Sequence, residues 1–159
     1  MATTLPLDST PSSALRAVQA VLAAGLICGT LDGLSALVVY PVGWKVLFQS
    51  IASGLLGAKS FQGGLKTALL GIALHYTVAL GATIVYYGAS RVLPALLQRA
   101  LLFGVLYGVC VHVVMTFVVV PLSEIGRHPH TVKGFLTGLA VHMIVVGPSI
   151  VLTLRRFHR

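Results

Sequence analysis

Charged side chains are scarce in this sequence, and acidic side chains are almost absent. Asp, Glu, Lys and Arg make up 9% of its 159 residues, and three residues are acidic. Soluble globular domains average about 25% charged residues. Hydrophobic residues make up 57% of the chain, and the mean hydropathy is +0.96. A soluble domain is therefore excluded, and spans of about 20 residues each would leave no room for a separate domain outside the membrane.

Motifs that mark common catalytic and metal sites are missing as well. No phosphate-binding glycine loop, nucleophile elbow, C-x2-C or H-E-x2-H spacing is present, so no catalytic residue and no metal ligand is assigned. Cys28 and Cys110 lie in apolar stretches, where thiols usually behave as small hydrophobes, so a disulfide framework is not expected. The net charge is +8, but the basic residues are spread along the connections, which indicates lipid headgroups rather than nucleic acid.

Four long apolar stretches dominate what is present. They cover residues 15–40, 65–90, 95–120 and 132–154, and each can cross a ~30 Å hydrocarbon core as a helix. A polar tail, residues 1–14, precedes them without the basic region of a signal peptide, so we expect the first stretch to be retained as a helix. The predicted fold class is all-α, an integral membrane four-helix bundle of two similar helical hairpins plus one amphipathic interfacial helix.

Residues 44–57 form the predicted interfacial helix. Apolar side chains recur at helical spacing and polar side chains fall opposite: Val46, Leu47, Ile51 and Leu55 against Lys45, Gln49, Ser50 and Ser53. Gly57 is placed to end the helix. About four turns are too short to span a membrane, so we expect a helix in the interface, with a re-entrant segment as the alternative. It would serve as a structural collar or as a lid over a site.

Basic residues set the expected orientation. Four spans place both ends of the sequence on one side, which then carries six basic residues against five on the other: Arg16, Arg91, Arg99, Arg155, Arg156 and Arg159 against Lys45, Lys59, Lys66, Arg127 and Lys133. Cytoplasmic segments of membrane proteins carry the excess of Lys and Arg. The count therefore favours cytoplasmic termini.

Matching positions in the two halves predict an internal repeat. Two segments share the spacing of a Lys, a Gly and a His: Lys66, Gly71 and His75 in the first, and Lys133, Gly138 and His142 in the second. A second match places an ionisable side chain nine residues before a proline: Asp32 before Pro41 and His112 before Pro121. Two-span halves repeated in this way share one orientation, so the repeat axis would run along the membrane normal.

Each apolar stretch contains one ionisable side chain, and the four form a candidate buried polar site: Asp32, His75, His112 and His142. An Asp at the centre of a membrane helix costs about 2.5–3.5 kcal/mol on insertion scales, so such groups need partners or a water-filled cavity. Each group lies nine residues from a span end, roughly 13–14 Å deep on the same side. Small residues predict close helix packing on the same faces: Gly25, Gly29, Gly33, Gly71, Gly108 and Gly138.

Several interpretations of this polar layer stay open. The four groups could bond to one another as interhelical contacts, handle protons or ions, bind a metal ion, or take part in catalysis. His75 and His142 could also face each other as axial ligands of a haem. The leading expectation is a non-enzymatic subunit or scaffold, acting as a homo-oligomer or within a membrane complex. The alternative is a small carrier of protons, ions or a solute, or a metal- or haem-binding protein.

Several short segments resemble a group of small bacterial inner-membrane proteins of uncharacterised function. The segments are Gln49-Ser-Ile-Ala-Ser-Gly-Leu-Leu-Gly57, Phe61-x-Gly-Gly64, Leu74-His75, Tyr86-Tyr87, Pro121-Leu-Ser123 and His142-Met143. The similarity covers most of the chain from about Gly25. It implies a bacterial four-span protein of the inner membrane. It brings no activity, cofactor or site, and so does not choose among the interpretations.

Overall fold

The computed structural model describes residues 13–127 and 131–158, and this part of the chain is helical apart from short connections. Four helices are long and apolar enough to cross a membrane, and we name them α1 (Ser13–Val39), α3 (Gly64–Val92), α5 (Ala100–Leu122) and α6 (Val132–His158). Two shorter helices are α2 (Trp44–Leu56) and α4 (Ala95–Gln98). The predictions of an all-α chain and of four candidate spans are confirmed, which makes this a multi-pass membrane protein by helix length and composition.

Two boundaries differ from the predicted ones. The predicted tail, residues 1–14, lies outside the described residues except at its end, where Ser13 and Ala14 already belong to α1. The third apolar stretch does not form one helix from residue 95, because the chain leaves helical geometry at Arg99. The Tyr86 hydroxyl donates to the Leu96 carbonyl at 2.9 Å. A continuous helix would pair this carbonyl with the N–H four residues later.

Glycines let the spans pack closely in two pairs. In α1, Gly25 packs against Leu80 of α3, and a Cβ added at Gly29 would lie 2.7 Å from the Tyr76 ring. In the second pair, Gly108 of α5 packs against the backbone of α6 at His142. Small residues allow such close helix contact in membranes, where the surrounding lipid provides no hydrophobic drive between helices. Gly25, Gly29 and Gly108 therefore lie where two spans approach closely.

The two pairs meet mainly along α1 and α6. Cys28 of α1 is buried among apolar side chains of α6, including Ile150 and Val151. Between α3 and α5 the backbones make little close contact, and the Tyr107 hydroxyl bridges them by donating to the Ala82 carbonyl at 2.6 Å. Space is therefore left between α3 and α5.

Helix α2 packs against α3, but its orientation differs from the predicted one. Its buried side chains are Leu47, Gln49, Ala52 and Ser53, whereas Val46 and Leu55 are 44% and 58% exposed. Gln49 Nε2 donates to the Gly64 carbonyl at 2.9 Å, which explains why a polar side chain faces inward. In a membrane protein the outer surface is apolar, so the amphipathic pattern does not separate inside from outside as it does in water. Gly57 ends the helix as predicted, with a positive φ of 59°.

Candidate functional site

One cavity of about 560 Å³ is lined by all four ionisable side chains of the apolar stretches: Asp32, His75, His112 and His142. Each comes from a different span, α1, α3, α5 and α6 in that order. The remaining lining is mostly apolar and includes Val78, Val111, Phe135 and Val146. The structure thus brings the four residues of the predicted polar site to one space within the spans.

The cavity extends from the ends of the helices to their middle. Tyr40, at the end of α1, lines one end together with Val120 of α5 and Thr131, which precedes α6. Cys28, twelve residues before Tyr40, lines the other end. At 1.5 Å per residue this corresponds to roughly 18 Å along α1. The end at Tyr40 lies on the side of the two connections that follow α1 and α5, opposite the connection between α3 and α5.

His75 joins α3 to α1 by a hydrogen bond. Its Nε2 lies 2.8 Å from the carbonyl oxygen of Gly29. A carbonyl oxygen only accepts, so Nε2 must carry the proton and donate. In the neutral ring Nδ1 is then an acceptor. The rings of Tyr76 and Phe48 pack edge-on against the imidazole, with centroids 5.6 Å and 5.9 Å away, and hold it in place.

His142 and His112 form an aromatic cluster with Phe135 on the other side of the cavity. The centroid of the buried His112 ring lies 4.9 Å from that of His142 and 4.9 Å from that of Phe135. His142 Nδ1 donates to the Gly138 carbonyl at 2.8 Å, which leaves Nε2 as the acceptor of the neutral ring. A Cβ at Gly138 would lie 2.8 Å from His112 Cε1, so the glycine makes room for this ring.

Asp32 lies in the cavity without a partner among the described residues. Its side chain is partly buried, and within residues 13–127 and 131–158 it makes no hydrogen bond and no ion pair. An Asp–His pair, which would neutralise both groups within the helix packing, is therefore not formed by Asp32 and His75. The carboxylate remains available to water or to a bound molecule.

Two π-helical turns flank the histidine cluster, and sequence reasoning missed both. They cover Met115–Val119 in α5 and His142–Val146 in α6. Each is followed two residues later by a proline, Pro121 or Pro148. Proline lacks an N–H and its ring clashes with the carbonyl four residues earlier, so it favours a wider turn just before it. Single π turns often occur at functional sites. The two prolines could thus have been used to predict the π turns from the sequence.

The described residues do not fit the metal and haem interpretations. Across residues 13–127 and 131–158, no group of three or more His, Cys, Asp or Glu side chains is arranged to hold a metal ion. Haem ligation by Nε2 of His75 would break its hydrogen bond to Gly29. His128 and His130, on the connection before α6, lie outside the described residues.

Comparison of this chain with protein-family models, with curated proteins and with solved structures gives no match in any of the three. Function therefore has to be inferred from the site itself. The properties that matter are a carboxylate that is unpaired among the described residues, three histidines, and a cavity that is apolar over most of its wall.

Proposed function

We propose that this protein binds a small organic solute in the cavity lined by Asp32 and acts as a carrier for it. The observation behind this proposal is the carboxylate of Asp32, which lies inside the spans and makes neither a hydrogen bond nor an ion pair with the described residues. A charged group in this position is costly, and in membrane proteins such groups commonly mark substrate or ion pathways. A purely structural polar layer would instead pair its own members.

The size and lining of the cavity support a solute rather than a bare proton or ion. Its volume of about 560 Å³ falls in the range of roughly 300–1,000 Å³ that is typical of small-molecule sites. Mostly apolar walls with a few polar groups are also typical of such sites. Asp32 supplies the charge, and the acceptor nitrogens of neutral His75 and His142 supply hydrogen-bond specificity.

The proposal also includes the helix arrangement around the site and the membrane in which it lies. The packing of α1 on α3 and of α5 on α6 supports a four-helix bundle built from two similar hairpins, with the cavity between them. We place the protein in the bacterial inner membrane with cytoplasmic termini, on the resemblance and the distribution of basic residues. In this orientation the end of the cavity at Tyr40 lies toward the outer side of that membrane.

Thermal stabilisation of the purified protein in nanodiscs tests the proposal. The probes are butylamine, glycine betaine and butyrate, which are cationic, zwitterionic and anionic. We expect at least one of them to raise the melting temperature of the wild type and to lose this effect in Asp32→Asn. Glu124→Gln is the matched control, because it removes the same charge from an exposed position on the connection after α5. The proposal fails if none of the probes stabilises the protein, or if Asp32→Asn retains the full effect.

A second candidate is the non-enzymatic subunit or scaffold. It is favoured by Gly81 and Gly88, which lie on the exposed side of α3 with no atoms within 4 Å of an added Cβ. Small residues on an outer helix face are typical of helix association in membranes. Cross-linking in nanodiscs tests this candidate: Gly81→Leu and Gly88→Leu should abolish a homo-oligomer of the wild type. A wild type that remains monomeric would exclude self-association.

A further inference from the structure

A recessed cleft lies at the ends of the spans where α1 begins and α6 ends, and we call it the terminal cleft. It consists of two adjoining hollows of about 170 Å³ and 210 Å³, which share Leu97 and His158 as lining residues. Its walls come from the start of α1, the end of α3, helix α4 and the end of α6. Among the described residues, none lines both this cleft and the Asp32 cavity, so the two are separate.

Every charged side chain in the lining of the terminal cleft is basic. Arg16 of α1, Arg91 of α3 and Arg155 of α6 line it, together with the imidazole of His158. In the part of the chain that the structure describes, these four side chains make no hydrogen bond and no ion pair. Like charges along one cleft repel one another, so a bound anion would relieve an unfavourable interaction there.

The acidic residues that the structure describes lie far from the terminal cleft. Asp32 is sixteen residues from Arg16, which is roughly 24 Å along α1. Glu124 lies on the connection after α5, at the opposite ends of the spans. Asp8, the third acidic residue of the sequence, lies outside the described residues. A cleft lined by charges of one sign attracts the opposite charge, so the terminal cleft is suited to an anion.

The floor of the terminal cleft is apolar and closely packed. Ala20, Leu97 and Leu154 line it and are buried in the core between the helices. The basic side chains therefore surround a recess rather than a flat surface, and low-dielectric walls strengthen their attraction for an anion. Phe157 also lines the cleft and is exposed, which adds an apolar surface beside the charges.

We propose that the terminal cleft binds the headgroup of an anionic phospholipid, with Arg16 and Arg91 holding its phosphate. Both side chains line the same hollow, and a guanidinium can donate two parallel hydrogen bonds to phosphate oxygens. The ends of the spans lie at the level of lipid headgroups, which makes a lipid the source of the phosphate. Basic pockets between membrane helices are typical headgroup sites. This site is independent of the solute proposed to bind at Asp32.

The charges also select the kind of headgroup. A choline or ethanolamine headgroup would bring an ammonium group to a cleft that already contains three arginines and, among the described residues, no carboxylate to pair with it. Phosphatidylglycerol carries the phosphate without an ammonium group. We therefore expect phosphatidylglycerol to bind in preference to phosphatidylcholine.

Native mass spectrometry of the whole protein in a neutral detergent tests the inference. The probes are dioctanoyl phosphatidylglycerol, dioctanoyl phosphatidylcholine and inorganic phosphate. We expect Arg16→Gln combined with Arg91→Gln to weaken phosphatidylglycerol by about tenfold or more, because a hydrogen bond to a charged group contributes at least about this factor. Arg99→Gln combined with Arg156→Gln is the control and should leave binding nearly unchanged. It removes the same charge from exposed positions on the same side that do not line the cleft.

A second pair of variants separates the recess from its charge. Ala17→Trp should abolish phosphatidylglycerol binding, because Ala17 lines the cleft and the indole would fill it without changing any charge. Ala14→Trp is the control, since Ala14 is exposed in the first turn of the same helix and does not line the cleft. Melting temperatures without added lipid establish that the variants are folded.

Four results would overturn the inference. Equal weakening by the two arginine pairs would mean that the lipid follows the charge of the whole side and not the cleft. Equal binding of phosphatidylcholine and phosphatidylglycerol would mean that the headgroup charge is not recognised. Displacement of phosphatidylglycerol by an equal concentration of inorganic phosphate would make free phosphate the ligand. Binding of phosphatidylglycerol only after Asp8→Asn would mean that the chain supplies its own anion to the cleft.

Discussion

The imidazole rings of His112 and His142 lie 4.9 Å apart, centroid to centroid, with their planes tilted by 56°. The predicted repeat aligns His112 with Asp32 and His142 with His75, yet the two halves use these positions differently. In the first half, Phe48 of α2 packs its backbone against Gly71. In the second half, the equivalent Gly138 makes room for the His112 ring. Helix α2, which has no counterpart in the second half, thus covers Gly71, whereas Gly138 faces the cavity.

Gly138→Ala should disrupt the contact between the two rings. Its new Cβ would lie 2.8 Å from His112 Cε1, and the ring would have to move. Overpacking of this kind costs about 1–3 kcal/mol of unfolding free energy. Gly81→Ala is the control, because nothing lies within 4 Å of its added Cβ and a better helix former should stabilise by up to about 1 kcal/mol. Unfolding by SDS titration measures both. If Gly138→Ala and Gly81→Ala changed the unfolding free energy equally, the packing of Gly138 on His112 would be contradicted.

His75→Ala should destabilise the pair α1 and α3. The variant removes the hydrogen bond from Nε2 to the Gly29 carbonyl, and such interhelical bonds contribute about 0.6 kcal/mol on average and up to about 1.7 kcal/mol. Thr77→Ala is the control, because its hydroxyl donates to the Ala73 carbonyl within the same helix. The same SDS titration compares the two. If Thr77→Ala costs as much as His75→Ala, the bond to Gly29 does not hold the helices together.

Deleting Ile144 should be tolerated, although it removes a residue from the middle of a span. The turn His142–Val146 is π-helical and contains one residue more than a regular turn, and Ile144 is 74% exposed. Removing the extra residue keeps the faces on both sides in register. The Pro148 ring then meets the carbonyl four residues earlier, so we expect a lower melting temperature but a folded protein. Deleting Leu106, 52% exposed in the regular part of α5, should instead rotate one side by about 100° and abolish folding. Expression and melting temperature in detergent measure both. If both deletions reduced expression and melting temperature equally, the π turn would not contain a residue that can be removed.

Cysteine labelling in intact cells should place Gln62 and Gln98 on opposite sides of the membrane. Gln62 lies on the exposed connection between α2 and α3, and Gln98 lies on the exposed connection between α3 and α5. A single helix, α3, separates them. Each is replaced by Cys after both native cysteines, Cys28 and Cys110, have been changed to Ala, and an impermeant maleimide is applied. Labelling of both from the same side would contradict the spanning of α3.

The direction of the polar side chains toward one cavity could be predicted from the sequence because it follows from regular helix geometry. A fixed rotation per residue placed His75 and His142 on faces with small neighbours, whereas the common depth of the four groups in the membrane stays a prediction. What departs from regular geometry could not be predicted in this way. The break at Arg99 depends on Tyr86 reaching the Leu96 carbonyl, a contact between residues of two different helices.

The orientation of α2 shows a second limit. Periodicity correctly predicts a helix ending near Gly57, but the inward position of Gln49 depends on acceptors at Gly64 and Thr67, which no local pattern reveals. In lipid, the hydrophobic pattern also loses its usual meaning, because an exposed apolar face is favourable there. That Asp32 has no partner within residues 13–127 and 131–158 is likewise a tertiary property, since any of three histidines could have been close enough to pair with it.

Asp32→Leu should stabilise the folded protein while it removes solute binding. In the wild type, the carboxylate is partly buried within a span and unpaired among the described residues, so its charge opposes insertion and folding. The cost of a fully buried Asp is about 2.5–3.5 kcal/mol, and the partly open cavity reduces it, so we expect a gain of about 1 kcal/mol. Glu124→Gln, on the exposed connection after α5, should change stability by less than about 0.5 kcal/mol. Unfolding by SDS titration measures the difference, and butylamine binding is followed in the same samples.

If Asp32 were part of a structural network of hydrogen bonds, the leucine would leave its partners unpaired and destabilise the protein. A loss of stability in Asp32→Leu would therefore favour the scaffold over the carrier, whereas a gain in stability with loss of binding would indicate a charge that is retained for its ligand.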